Sequence, residues 1–413
     1  GDHLDHTLSL HDALPISLGK FGYFLIRPLI SSLVYAFFGY LLGSVLDFTT
    51  GKKENQEEKS DEFLFVYFFL RNTTLDPITH ASLGVTLAEA GFRERMGGKA
   101  VFFSACCAAL PDLDIFARAF GEWASLVHHR GITHSFFFLA LVSPFLAWAG
   151  FRWGKKGNYL SWLLLTFLSL STHSLIDFCT SYGTQIFAPL TDRRFALDAV
   201  AILDFFYTVP LMVVLLFACT RKFSDSFKRN FARAVLLFTT LYLCYGFVQS
   251  KKAIALAEKQ LNEKGISYSK VRALPTLLNV WLWRIVARDE QGNIRLGMVS
   301  TLSPSEIDFR EIKWVSHPLV TKALQSERGQ IFEWFAMGLI SVSVEDAPLP
   351  KVYVYDQRYG FVSDLSKNLF GICVQFDENG NLTNVQRTSM KKRADMKKEI
   401  SIIWEILTGK KTE

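Results

Sequence analysis

No two cysteines in this chain are spaced as a Cys-x-x-Cys pair, and there are only six in 413 residues. Cys106, Cys107, Cys179, Cys219, Cys244 and Cys373 mostly lie in apolar runs, where they read as small buried hydrophobes. That excludes a disulfide framework and a zinc knuckle. No internal repeat and no low-complexity tract is present, so a solenoid is excluded as well. Charge is sparse, at 20% of residues with a net +6. The basic clusters carry no interleaved aromatic platform, which argues against a nucleic-acid partner.

What the chain has instead is apolar length. Half its residues are hydrophobic, 37 are Phe, and the mean hydropathy is positive. Several membrane spans account for such a composition better than a soluble domain does. The stretch at the start is set aside. Thr7 to Ile16 reads TLSLHDALPI, resembling one frame of a sequencing-adapter oligonucleotide, so residues 1–17 and their His3, His6, His11 and Asp12 are discounted. Residues 18–74 form an N-terminal extension of unsettled origin. It contains an apolar run from Phe21 to Leu46, long enough to span a bilayer, and a charged run from Lys52 to Glu62.

From Asp76-Pro77, a helix start signal, the pattern sharpens. Apolar segments are expected over 76–92, 100–110, 136–151, 159–176, 205–219 and 234–248. Between them lie basic turns at 93–99, 152–156 and 221–233. The positive-inside rule puts these three turns on the cytoplasmic side, which six alternating helices satisfy. His80, Asp112, Asp114, His129, His134, His173 and Asp177 then fall together at the opposite face, although the charge rule made no use of them. Aromatics near Trp148, Trp153 and Trp162 read as an interfacial belt.

Five of the nine histidines sit between residues 80 and 173. Ionisable groups beside spans are costly unless they pair, bind metal or face water. His173 and Asp177, four apart, project from one helix face. Asp112 and Asp114 flank a single residue after Pro111 and can aim two carboxylates at one ion. His129 and His134, five apart, need a turn that Gly131 permits. Imidazole and carboxylate donors without thiolate suit zinc, manganese or iron, and seven are enough for one ion or two. The bland reading is a structural polar network. Arg130 is either an anion clamp or a salt-bridge partner for Asp112 or Asp114. His128 reads as a neighbour of the ligands, Thr133 and Ser135 as caps of the next helix, and Asp204 as a cap or supporting group. Gly183 and Pro189 read as residues that shape a loop.

Four motifs in order carry a resemblance: Leu75-Asp-Pro-Ile-Thr-His80 with Gly84, Pro111-Asp-Leu-Asp114, His129-Arg-Gly-Ile-Thr-His134-Ser135, and His173 with Asp177. Together they resemble the YdjM/YbcI family of membrane-bound metal-dependent hydrolases over about residues 75–250. The resemblance implies a bacterial inner-membrane protein with His80, Asp112, Asp114, His129, His134, His173 and Asp177 as metal ligands. It also implies a distant similarity to zinc-dependent phospholipase C. Family members often begin Met-Asp-Pro where this chain has Leu75-Asp76-Pro77, so a native start at Leu75 is one reading.

The expected function is hydrolysis of a phosphoester, lipid-like or amphiphilic, at the outer membrane face. Arg130, Asp114 and His129 are the expected catalytic residues. The alternatives are a metal or proton transporter, and a non-catalytic scaffold with a structural metal. Residues 251–413 are mixed and charged, with alternation in Lys351-Val-Tyr-Val-Tyr355 and in Gly371 to Phe376, and turn signals at Asp289 to Gly292 and Asp377 to Gly380. They read as an extracytoplasmic α+β domain without a catalytic constellation. It would bind headgroups or cover the site, and its basic tail from Lys391 to Lys398 reads as a solvated helix face. The whole is expected to be mostly α: a polytopic transmembrane helix bundle with a smaller C-terminal α+β soluble domain.

Overall fold

The structure, a computed structural model, describes residues 75–346, 348–389 and 396–408. The adapter-like leader, the run from Phe21 to Leu46, the charged linker and Lys391 to Asp395 lie outside the described residues.

The helical part begins with α1 (Leu75–Gly91), a short α2 (Arg93–Met96) and α3 (Gly98–Ala109). Helices α1 and α3 pack tightly because Gly84 carries no side chain. A Cβ there would lie 2.5 Å from the Ser104 carbonyl oxygen and 2.7 Å from the Ala108 methyl. Ser104 Oγ donates to the Gly84 carbonyl at 2.6 Å and meets Ser169 Oγ at 2.7 Å. The hydroxyls are thus satisfied inside an apolar bundle, where an unpaired polar group is costly. A 3₁₀ segment (Pro111–Phe120) follows α3 with a 43° bend, and α4 (Glu122–His128) leads to a single 3₁₀ turn (Ile132–His134).

The helices α5 (Phe136–Gly154) and α6 (Tyr159–Cys179) form an antiparallel pair. Trp162 does not belong to an interfacial belt. It is fully buried, and a Cβ on Gly150 or Gly154 would collide with its ring, so those two glycines form its slot. Its indole N–H donates to the Lys156 carbonyl at 2.9 Å. Trp148 and Trp153 are exposed as the belt requires. After a loop come α7 (Phe205–Cys219) and α8 (Asp225–Glu263), the latter running unbroken for 39 residues.

Among the described residues, three helices are long and apolar enough to cross a membrane: α5, α6 and α8. A fourth span results if α3 and the bent segment after it are joined. The expectation of six spans is therefore met only in part. Helix α1, with Ser82, Thr86 and Glu89 buried along it, and the 15-residue α7 fall short. The expected span 234–248 sits inside α8, so the domain boundary placed at 250 cuts a continuous helix.

The basic turns do meet at one end. Lys99 Nζ donates to the Trp153 carbonyl, Arg93 lies 3.7 Å from Asp225, Arg229 pairs with Glu94, and Arg233 donates to the Ala90 carbonyl.

Two four-stranded antiparallel sheets make up most of the C-terminal part. The first is β1 (Lys270–Pro275), β2 (Leu282–Arg288), β3 (Ile294–Ser300) and β4 (Arg310–Ile312), paired in sequence order. Helices α9 (Pro318–Gln325) and α10 (Glu327–Phe335) precede β5 (Ile340–Glu345), β6 (Lys351–Asp356), β7 (Phe370–Phe376) and β8 (Leu382–Ser389). A last helix, α11, covers Met396–Thr408. Both expected turns close hairpins, with Gly292 and Gly380 in the left-handed region.

The first sheet packs Trp283, Ile285 and Val299 against Ala253 and Ala257 of α8. The second packs Val352, Val354 and Val374 under α9 and α10 and reaches Leu126 of α4. Each fully buried large side chain contributes roughly 1.5–3 kcal/mol. These two cores fix the sheets against the end of the bundle away from the basic turns.

Candidate metal centre

At that end, four side chains from three separate elements converge. Asp112 comes from the 3₁₀ segment, His134 from the single turn, and His173 and Asp177 from one face of α6. One donor atom from each lies within 4.8 Å of all the others, and all four residues are buried. His134 Nε2 is 3.1 Å from Asp177 Oδ2 and 3.6 Å from Asp112 Oδ1. His173 Nε2 is 3.5 Å from both carboxylates.

The hydrogen-bond partners fix the imidazoles. His173 Nδ1 lies 2.5 Å from the Ala108 carbonyl, so it donates there and leaves Nε2 as a bare acceptor. Thr133 Oγ1 donates to Asp114 Oδ2 at 2.8 Å and therefore accepts from His134 Nδ1, 3.0 Å away. His134 Nε2 is then bare as well. The two bare nitrogens stand 3.0 Å apart, and neither oxygen of Asp112 accepts a hydrogen bond. Four electron-rich atoms around one point, with few donors, repel one another unless a cation lies among them. Burial alone would lower the pKa of His134. The facing carboxylates of Asp112, Asp114 and Asp177 outweigh that and raise it above the usual imidazole range, so that in the absence of a cation a proton on Nε2 takes the same place. The chain's own field thus draws positive charge to this point.

The remaining expected site residues surround the four. His80 stacks on His173 with centroids 3.7 Å apart and sets Nε2 3.3 Å from Asp177 Oδ1, a step behind the convergent atoms. His129 Nδ1 bonds Asp114 Oδ1 at 2.7 Å, and these two with Asp112 make a second, overlapping group of metal-ligand type. Arg130 does not pair with Asp112 or Asp114. Its guanidinium reaches Asp177 Oδ1 at 3.0 Å and Thr180 Oγ1 at 2.8 Å, while its backbone N–H donates to Asp114 Oδ2.

The turn between His129 and His134 also differs from expectation. The left-handed residue is Arg130, with φ 58°, and not Gly131. Gly131 is needed for space, since a Cβ there would come within 2.7 Å of the His128 carbonyl oxygen. Ser135 caps α5 and also bonds the Ala188 carbonyl. Asp204 caps α7 and accepts from Tyr242 Oη at 2.9 Å.

Three arginines hold the loop after α6, and sequence reasoning found none of them. Arg194 is buried and donates to the carbonyls of His129 at 2.6 Å and Gly183 at 3.2 Å; burial pushes its guanidinium down to about 10. Arg358, after β6, pairs with Asp356 and donates to the carbonyls of Ser181 and Tyr182. Arg272 of β1 holds Asp198 through two bonds. The Tyr182 ring lies between Arg130 and Arg194 and packs edge-on to His129 and Phe335. The second sheet and its helices therefore buttress the loop three residues beyond Asp177. Arginine in a loop or at a strand end is usually solvated, so its type alone gave no signal.

Comparison with known proteins agrees with the motif series. A family model described as YdjM inner membrane protein matches residues 75–253. Inner membrane protein YbcI of Escherichia coli (strain K12) is 33% identical over 121 residues, which cover 29% of this chain and 69% of that protein. The chain belongs to the YdjM inner membrane protein family. The matched region holds every residue of the His/Asp cluster. No solved structure matches the chain. As a YdjM-family protein it is an inner membrane protein with an Asp/His cluster able to hold a metal ion.

Proposed function

We propose that this protein is a membrane-bound metal-dependent hydrolase that cleaves an amphiphilic phosphoester at the outer face of the inner membrane. The observation that carries the reading is the convergence of Asp112, His134, His173 and Asp177 with two bare imidazole nitrogens facing each other. A divalent ion suits that donor set, with zinc favoured and manganese or iron compatible. The overlapping group of Asp112, Asp114 and His129 would hold a second ion. When bound, such an ion lowers the pKa of water to supply hydroxide near neutral pH and polarises a phosphoryl oxygen.

The protein's own residues would do the rest. Asp114 fixes the His129 ring through Nδ1, so that its other nitrogen would take or give a proton when no second ion is held there. Arg130, held against Asp177, balances the carboxylate charge and orients that ligand. Leu113, Phe116, Ile132, Phe187 and Leu190 are exposed on the segments that carry or adjoin the cluster. A lipid-like tail would lie on these residues while its headgroup reaches the donors. The basic turns at the opposite end would face the cytoplasm.

The test is elemental analysis of the detergent-purified chain beside an Asp112→Ala/His134→Ala double variant. One or two equivalents of zinc, manganese or iron in the parent, lost in the variant, are expected, followed by metal-dependent release from a phosphodiester. A parent that takes up no metal after reconstitution reduces the cluster to a polar network and ends the proposal. Metal uptake without turnover of any phosphoester leaves a structural or transport site and removes the hydrolase.

A further inference from the structure

The turn between β1 and β2 carries two exposed leucines, Leu277 and Leu278, at 44% and 43%. Their outward aim is imposed by the turn itself. The buried Asn279 accepts from the backbone N–H groups of Trp281 and Leu282 at 2.9 and 2.8 Å, and its amide donates to Thr276 Oγ1. Leu278 has φ 70°, a left-handed conformation that ordinarily selects glycine or asparagine. The turn thus presents a leucine outward at a position where glycine would suffice to reverse the chain.

The level of this turn along the bundle is fixed by three contacts. Leu278 N–H donates to the Leu203 carbonyl just before α7. The Trp281 indole donates to Tyr245 Oη of α8 at 3.0 Å and its ring meets Phe206 at 5.3 Å. On α8, Tyr245 lies within the apolar stretch, which ends at Val248 and gives way to Gln249, Ser250, Lys251 and Lys252. Leu237, Leu241, Tyr245 and Val248 form an exposed stripe at helical spacing, and the turn prolongs it. From Tyr245 to Lys251 the helix rises only about 9 Å. The two leucines therefore sit at the depth where the hydrocarbon edge of the bilayer must lie. The hydrogen-bonded Trp281–Tyr245 pair, apolar in body and polar at the tip, suits that boundary.

We infer that the β1–β2 turn is inserted into the acyl-chain edge of the bilayer, with Leu277 and Leu278 in contact with lipid, and seats the first sheet on the membrane surface. The inference rests on the membrane character of the family and not on the metal centre.

It is tested by spin-label accessibility. The full chain, with the exposed Cys219 and Cys244 changed to serine, receives a label at Leu277→Cys, at Leu278→Cys, or at the exposed Lys259→Cys as an aqueous control. It is then reconstituted in vesicles of phosphatidylethanolamine and phosphatidylglycerol. At 277 and 278, collisions with oxygen should exceed those with a water-soluble nickel chelate severalfold, with the order reversed at 259. Labels at 277 and 278 that behave like the one at 259 overturn the inference. Labels shielded from both reagents also overturn it, since that would mean a protein partner or a second copy covers the turn. If the variant at 278 fails to fold because of its backbone, the one at 277 decides alone.

Discussion

Two buried ionic clusters of this protein stand close together and are built on opposite principles. In the sheet domain, the carboxylate of Asp356 is met by the backbone N–H, Nε and Nη2 of Arg358 at 2.7–3.1 Å, and both residues are fully buried. Its charges cancel internally. Burial alone would lower the guanidinium's pKa, yet the carboxylate holds it above its usual value. At the helix ends, Asp112, Asp114 and Asp177 face imidazoles, and Arg130 is the arginine in contact, joined to Asp177. The first cluster is complete without a ligand; the second is short of positive charge. Donor balance, more than burial or residue type, separates an architectural ion pair from a candidate ligand site.

The largest effect is expected where the balance is worst. Asp177→Asn keeps the shape but removes a charge, and metal in the purified protein should fall below detection by elemental analysis. Full retention would show that the cluster is not electrostatically organised and would erase the contrast. Next comes Asp356→Ala, which strands the Arg358 guanidinium in the interior and should cost about 3–5 kcal/mol in denaturant unfolding of the sheet domain. A loss below about 1 kcal/mol would mean that water reaches the pair. The smallest effect sharpens the picture of the site. Thr133→Val removes the hydroxyl linking Asp114 to His134 and should weaken metal affinity about 10–100-fold in a competition titration, with the fold unchanged. Unaltered affinity would show that His134 needs no such partner to keep its tautomer.

The two clusters also differ in how far the sequence disclosed them. His80, Asp112, His134, His173 and Asp177 stood out because ionisable residues are rare beside apolar runs, so each was visible against its background. The charge of the intervening turns then brought them to one end, and the packing of those turns in the structure follows the same logic. The Arg130 partner was not legible, because its left-handed backbone, unusual outside glycine, redirects the side chain to Asp177. Arg194 and Arg358 were invisible because burial of a loop arginine is decided by what folds over it, here Tyr182, Trp334 and Phe335. Hairpins were readable at Gly292 and Gly380, where the backbone demands a residue type. The division into two sheets was not: α9 and α10 separate β4 from β5, but whether β5 pairs with β4 across them is a long-range choice that no local window contains. The slot for Trp162 depends on Gly150 and Gly154 in the neighbouring helix, a relation between segments that no single window contains.

Helix α8 is about 58 Å long at 1.5 Å per residue, roughly twice the thickness of a hydrocarbon core. Its first half lies among the other helices, and Ala253, Ala257 and Leu261 of its second half are embedded in the first sheet. Gly246, a natural point of weakness midway, is pinned because its Cα faces the Ala199 carbonyl with no room for a Cβ. The helix is therefore a stiff lever with its fulcrum at the membrane surface. If a thinner bilayer tilted it by about 20°, the far tip would swing sideways by on the order of 10 Å. The sheets, packed on that tip and on the neighbouring helix ends, would be carried along with the swing as one body.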